Sequence, residues 1–148
     1  METKAFKISW ILLVIVLCIA IILALILTFT PTFFITSEFE LFTGQTLADF
    51  AESNPKAYSF LLLEDSEMGI FLFALSLITL LITLIPYRKR EKWAWYLVVI
   101  SVTLTAVATV GFNIPTGDMS VIMMSAILTL IAYVGLAIGA KSILKKSA

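Results

Sequence analysis

Three carboxylates fall within four residues at Glu64-Asp65-Ser66-Glu67. Oxygen ligands crowded in this way suit a hard cation such as calcium, so Glu64, Asp65 and Glu67 are the candidate metal ligands. The spacing is not that of an EF-hand loop, and a solvated acidic rim is the simpler account. Met119 and Met123 lie one helical turn apart, with Met124 adjacent and Met68 at the same level. Thioethers bind Cu(I), but methionine is also an ordinary gap filler in apolar packing. Hydroxyl and small residues recur at helical spacing: Ser101, Thr105 and Thr109; Gly69, Ser76 and Thr83; Ser125, Thr129, Ala132, Gly135 and Gly139. Such stripes let membrane helices approach closely. A polar-lined passage for a small solute is the alternative.

The missing residue types exclude more chemistry than these suggest. There is no histidine, which removes the commonest metal ligand and general base together. The single cysteine, Cys18, rules out an intrachain disulfide and a thiol relay. Serine and threonine nucleophiles would need a base beside them. The apolar runs hold no ionisable group of the kind a proton-coupled pump requires. Neither a catalytic constellation nor a cofactor pattern is visible, and nothing calls for nucleic acid.

The elements that would position these residues are four runs long enough to cross a bilayer, residues 8–29, 68–85, 93–112 and 119–140. A span needs roughly 20 apolar residues, and none of the four contains a charge. Of the 148 residues 61% are hydrophobic and 14% charged, against about 25% charged in a soluble domain. The expected fold is therefore all-α: one integral membrane four-helix bundle covering residues 1–148. Lys4 and Lys7 give the first run a signal-peptide look, but it is too long, and Pro31 spoils the cleavage site. It reads as a retained helix.

Charge orients the bundle. Lys4, Lys7, Arg88, Lys89, Arg90, Lys92, Lys141, Lys145 and Lys146 fall on one side, with only Glu2 and Glu91 against them. The other side carries Glu38, Glu40, Asp49, Glu52, Glu64, Asp65, Glu67 and Asp118, and one cation, Lys56. Lys and Arg near span ends stay cytoplasmic, which predicts a multi-pass cell-membrane protein with both termini cytoplasmic. In the basic turn Pro86 is expected to stop the second helix. Arg88, Lys89, Arg90 and Lys92 then lie among headgroups. Trp93, Trp95 and Tyr96 supply an aromatic belt, joined by Phe6 and Trp10 of the first helix. The turn is a topology signal, or a docking site for an anionic lipid or a cytoplasmic partner.

Residues 31–67 form the segment between the first two spans. Leu47, Phe50 and Ala51 share one helical face and Asp49, Glu52 and Ser53 another, which predicts a short interfacial helix. Asn54-Pro55 reads as a second helix start, with Asn capping, and that helix is expected over 55–64. Together they make a short helical cap over the outer end. Below it, the third and fourth spans are expected to pair as a hairpin. Its seam would run along Ser101, Thr105 and Thr109 on one side and Gly135 and Gly139 on the other, with Leu136 on another face.

The stretch Tyr87–Tyr96, YRKREKWAWY, together with the acidic segment after the first span, resembles small prokaryotic four-span membrane proteins. The plan is broadly similar to that of the DoxX-like proteins. DoxX is associated with a membrane quinol-oxidising system, so the resemblance implies an accessory subunit and transfers no site residue. The reading is a non-enzymatic accessory or structural subunit of a larger membrane complex, an oxidase or monooxygenase among the options. Its partners would be the lipid bilayer and other subunits or copies of itself. The alternative is a stand-alone binder or passage for a small apolar molecule such as a lipid or quinone.

Overall fold

The computed structural model describes residues 4–145, so Glu2 and Lys146 of the charge tally lie outside the described residues. Four long helices carry the architecture: α1 (Lys4–Phe29), α4 (Pro55–Ile82), α5 (Lys92–Asn113) and α6 (Met119–Leu144). Two short ones, α2 (Thr32–Thr43) and α3 (Leu47–Ser53), fill the connection between α1 and α4. No strand occurs among the described residues. The four long helices are long and apolar enough to span a membrane. The chain is a multi-pass membrane protein built as an all-α four-helix bundle.

The first helix is the organising element. α1 packs along both α4 and α6, α5 packs along α6, and α4 and α5 meet only sparsely. The order around the bundle is therefore α4, α1, α6, α5, with an open seam where the ring should close. Small residues permit the two closest approaches, as membrane packing requires in the absence of a hydrophobic drive. At one crossing Gly69 of α4 lies against Thr28 of α1, where an added Cβ would stand 2.7 Å from the Thr28 nitrogen. The core at the other end gathers Phe6, Leu13, Tyr87, Ala94, Val98, Leu136 and Ile143.

Three local features depart from expectation. Residues 32–43 form α2, in which Phe33, Leu41 and Phe42 are exposed and only Ile35 is buried. Residues 55–64 are not a separate helix but the first turns of α4, which runs unbroken into the span. Asn54 does precede a Pro at the first helical position, yet its side chain makes no cap bond and instead donates to Ser53 Oγ. The working cap is at α3, where Thr46 Oγ1 accepts from the Asp49 N–H.

Pro86 does not stop the second span where expected. Lacking an N–H, it cannot return a bond to the carbonyl four residues back. The helix instead widens into a π-helical turn, Thr83–Tyr87, and ends one residue past the proline. The turn to α5 then closes through Arg90, whose φ of 63° is left-handed, a conformation unusual for a side chain of this size.

Candidate functional site

Residues of all four spans line a cavity of about 110 Å³ that is open on one side. α1 contributes Leu17 and Ala20 to its wall and α4 contributes Leu72 and Ser76. α5 and α6 complete the wall with the hydroxyl stripes, Ser101, Thr105 and Thr109 facing Ser125 and Thr129. The stripes therefore do not interlock with one another as a packing seam; they face a shared space. That space lies beside the α4–α5 seam, where the two helices part.

The hydroxyls of the wall are of two kinds. Thr79 donates to the Leu75 carbonyl at 2.7 Å and Thr109 to the Thr105 carbonyl at 2.9 Å, so their protons are spent within their own helices. Ser76, Ser101, Thr105, Ser125 and Thr129 have no hydrogen-bond partner among the described residues. Ser76 is 5% exposed. In hydrocarbon no bulk water satisfies such groups, so each unmade bond is costly.

The basic end of the bundle is closed. Ser9 and Tyr87, 78 residues apart, share a buried hydrogen bond of 2.7 Å between their hydroxyls. Phe6 stacks on the Tyr87 ring at 5.8 Å, and Tyr87 is fully buried. Gly139 makes the lock possible, because a Cβ there would overlap Tyr87 Oη and stand 2.5 Å from Ser9 Oγ. Trp10 Nε1 donates to the Thr83 carbonyl in the π-helical turn at 3.1 Å. Arg88 lies over the Trp10 ring at 4.8 Å and Arg90 over Phe6 at 4.7 Å. Each such contact contributes about 0.5–1 kcal/mol when exposed, and together they pin the basic turn to the start of α1.

These contacts revise the aromatic belt. Phe6 and Tyr87 are core residues, and Trp10 and Trp95 turn inward, Trp95 Nε1 donating to the Leu136 carbonyl at 3.1 Å. Trp93 and Tyr96 remain about half exposed, with the Trp93 indole donating to Glu91. Lys89 and Lys92 are also exposed. The glycines are placed differently too. Gly135 and Gly139 face α1, against Ser9, Leu12 and Leu13, and not α5. The hairpin of α5 and α6 is held by the Trp95 bond and by a 2.7 Å bond between Thr103 and Tyr133. Leu136, expected on an indifferent face, is 2% exposed and belongs to the core.

At the acidic end the candidate cation ligands spread apart. Glu64 and Glu67 are exposed and Asp65 is half-buried. Among the described residues no three side chains of the ligating types converge on one point. Met119, Met123 and Met68 are exposed on the bundle surface, while Met124 lines the cavity. The ordered carboxylate is Asp118, the N-cap of α6. It accepts from the Ser120 and Val121 N–H groups, from Ser120 Oγ, and from Ser37 Oγ of α2 at 2.7 Å. The Ser120 and Ser37 hydroxyl bonds, helped by the backbone bonds, hold its carboxyl below the usual range. Glu38, beside it, is pushed up by burial first and then by the charges of Asp65 and Asp118.

The Ser9–Tyr87 lock, the inward turn of Trp95 and the role of Asp118 as a tie to the cap are not legible in the sequence. The one available signal was the lone Ser9 in an otherwise apolar first span. Comparison of the chain with protein families, with curated proteins and with solved structures finds no match.

Proposed function

We propose that this membrane protein binds a small membrane-soluble molecule between its four spans and performs no chemistry on it. The observation that carries this reading is the 110 Å³ cavity walled by all four helices beside the α4–α5 seam. The packing of the basic end, where Phe6, Tyr87 and Ile143 are buried, favours holding a molecule over conducting one. In the orientation that the charge bias favours, this end and both termini are cytoplasmic, in the cell membrane. The test is native mass spectrometry of protein released from mild detergent, wild type against Ala20→Phe, which fills the cavity from α1. The expected result is a bound small molecule in the wild type that the variant loses while keeping its helicity. Equal small-molecule content in both would overturn the reading.

A second reading, an accessory subunit of a larger complex, draws on a separate observation. Phe33, Leu41 and Phe42 of α2, and Phe60 and Leu63 on the projecting turns of α4, are each more than half exposed. A patch of this kind suits a protein partner. Mass measurement of the gently solubilised particle distinguishes the two, since a subunit travels with other chains and a binder with small molecules alone.

A further inference from the structure

The character of the cavity wall narrows what can occupy it. Five hydroxyls, those of Ser76, Ser101, Thr105, Ser125 and Thr129, line it without a partner, and the remaining wall is mostly aliphatic. A purely hydrocarbon guest would offer the five no partner beyond the carbonyls of their own helices. A charged guest fares worse, because no Asp, Glu, Lys or Arg lines the cavity to balance it. The wall therefore suits a neutral guest with oxygen atoms. Each unspent hydroxyl has a proton to give, so carbonyl oxygens, which only accept, match it directly.

Spacing adds a second constraint. Ser101 and Thr105 are four residues apart on α5, and Ser125 and Thr129 four apart on α6. At a rise of 1.5 Å per residue each pair sets two donor levels about 6 Å apart along the bundle. Oxygens on opposite sides of one six-membered ring span a comparable distance. The cavity, at about 110 Å³, is of the order of the ~150 Å³ that accepts a benzene ring. Being open on one side, it has room for about one ring. Any tail must leave through the α4–α5 seam into lipid.

Resting on the proposed binding function, we infer that the pocket recognises a neutral lipophile whose inserted end is a single ring bearing two carbonyl oxygens, with an apolar tail along the α4–α5 seam. The two donor levels engage one carbonyl each, and Ser76 of α4 completes the wall opposite α6. No charged group of the wall takes part, so recognition is insensitive to pH in the neutral range and to salt.

The test compares two synthetic ligands in purified protein: 2-octylcyclohexane-1,4-dione, and octylcyclohexane of the same shape without the oxygens. Neither is redox-active or reactive towards Cys18. Binding is read by thermal shift and by saturation-transfer NMR. The expected result is that the dione binds about tenfold tighter, the difference that two modest hydrogen bonds supply. Thr105→Val and Ser125→Ala should each bring the ratio of the two affinities, dione over octylcyclohexane, towards one. Equal binding of both ligands, or a preference that survives both substitutions, overturns this inference but leaves the binding function standing. Failure of both ligands to bind, with Ala20→Phe behaving as the wild type, overturns the binding function itself.

Discussion

Gly139→Ala is the sharpest perturbation of the bundle, because its cost can be switched off elsewhere in the chain. The new methyl would overlap Tyr87 Oη and stand 2.5 Å from Ser9 Oγ, with Ser9 Cβ at 3.4 Å. Tyr87 and Ser9 are fully buried, so neither hydroxyl can swing aside without breaking their 2.7 Å bond. Overpacking of this kind costs about 1–3 kcal/mol. Loss of the bond adds about 0.6 kcal/mol, the average for hydrogen bonds between membrane helices. Against this, replacing a mid-helix glycine by alanine returns about 0.5–1 kcal/mol. The net expectation is a loss of about 0.6–3 kcal/mol. In a Ser9→Ala/Tyr87→Phe background both offending oxygens are gone, and what remains near the new methyl, the residue 9 Cβ at 3.4 Å and the edge of the residue 87 ring, stands at ordinary contact distance. There Gly139→Ala should be neutral or stabilising by about 0.5 kcal/mol. A double-mutant cycle by reversible unfolding in mixed micelles reads the coupling, expected at about 2 kcal/mol. The same cost in both backgrounds would refute the lock as the reason for glycine at this position.

Three further outcomes follow from the geometry. With Cys18 replaced by Ala, Gln45→Cys should react with a membrane-impermeant thiol reagent in intact cells and Lys145→Cys should not; the reverse pattern would invert the orientation. Asp118 and Glu38 should oppose each other in pH scans of thermal stability. A lowered carboxyl such as Asp118 gives stability present above its unfolded value near 4 and lost as pH falls through the folded one, so Asp118→Ala should cost about 0.5–2 kcal/mol at pH 7. A raised one such as Glu38 gives stability that is full in acid and lost as pH rises, so Glu38→Gln should stabilise at pH 7; a shared sign for the two would contradict this account. Gly69→Ala should lower the unfolding midpoint because Thr28 backbone stands in its way, whereas Gly111→Ala, with nothing within 4 Å, should raise it slightly; equal responses would show that the α1–α4 crossing tolerates side chains.

The legible parts of this fold were those written locally. Each span declares itself within its own twenty residues, and the turn over residues 113–118 carries its own Gly and Asp. The illegible parts depend on which helices become neighbours. A small-residue repeat at Gly135 and Gly139 promises close approach but does not name the partner, and α1 takes that place because Ser9 and Tyr87 need the same space. Leu136 looked like any leucine until α1 and α5 enclosed it. The hydroxyl stripes were visible as stripes, but whether they meet or stand apart is decided by how far α4 and α5 separate. α2 escaped notice because its aromatic residues follow Pro31 without the clean two-faced pattern that marks α3.

The continuity of α4 has a mechanical consequence. Together with the π-helical turn that continues it, it runs from Pro55 to Tyr87, 33 residues and roughly 50 Å of helix, against about 30 Å of hydrocarbon. The surplus stands beyond the acidic end, with α3 docked on it. Gly69, pressed on Thr28, marks a close crossing with α1 part-way along it. The arm above it, to Pro55, is about 20 Å long, and the arm below, to Ser76, about 10 Å. The longer arm carries α3 on its side and the shorter one carries Ser76 into the pocket wall, so cap and pocket are borne by one continuous helix.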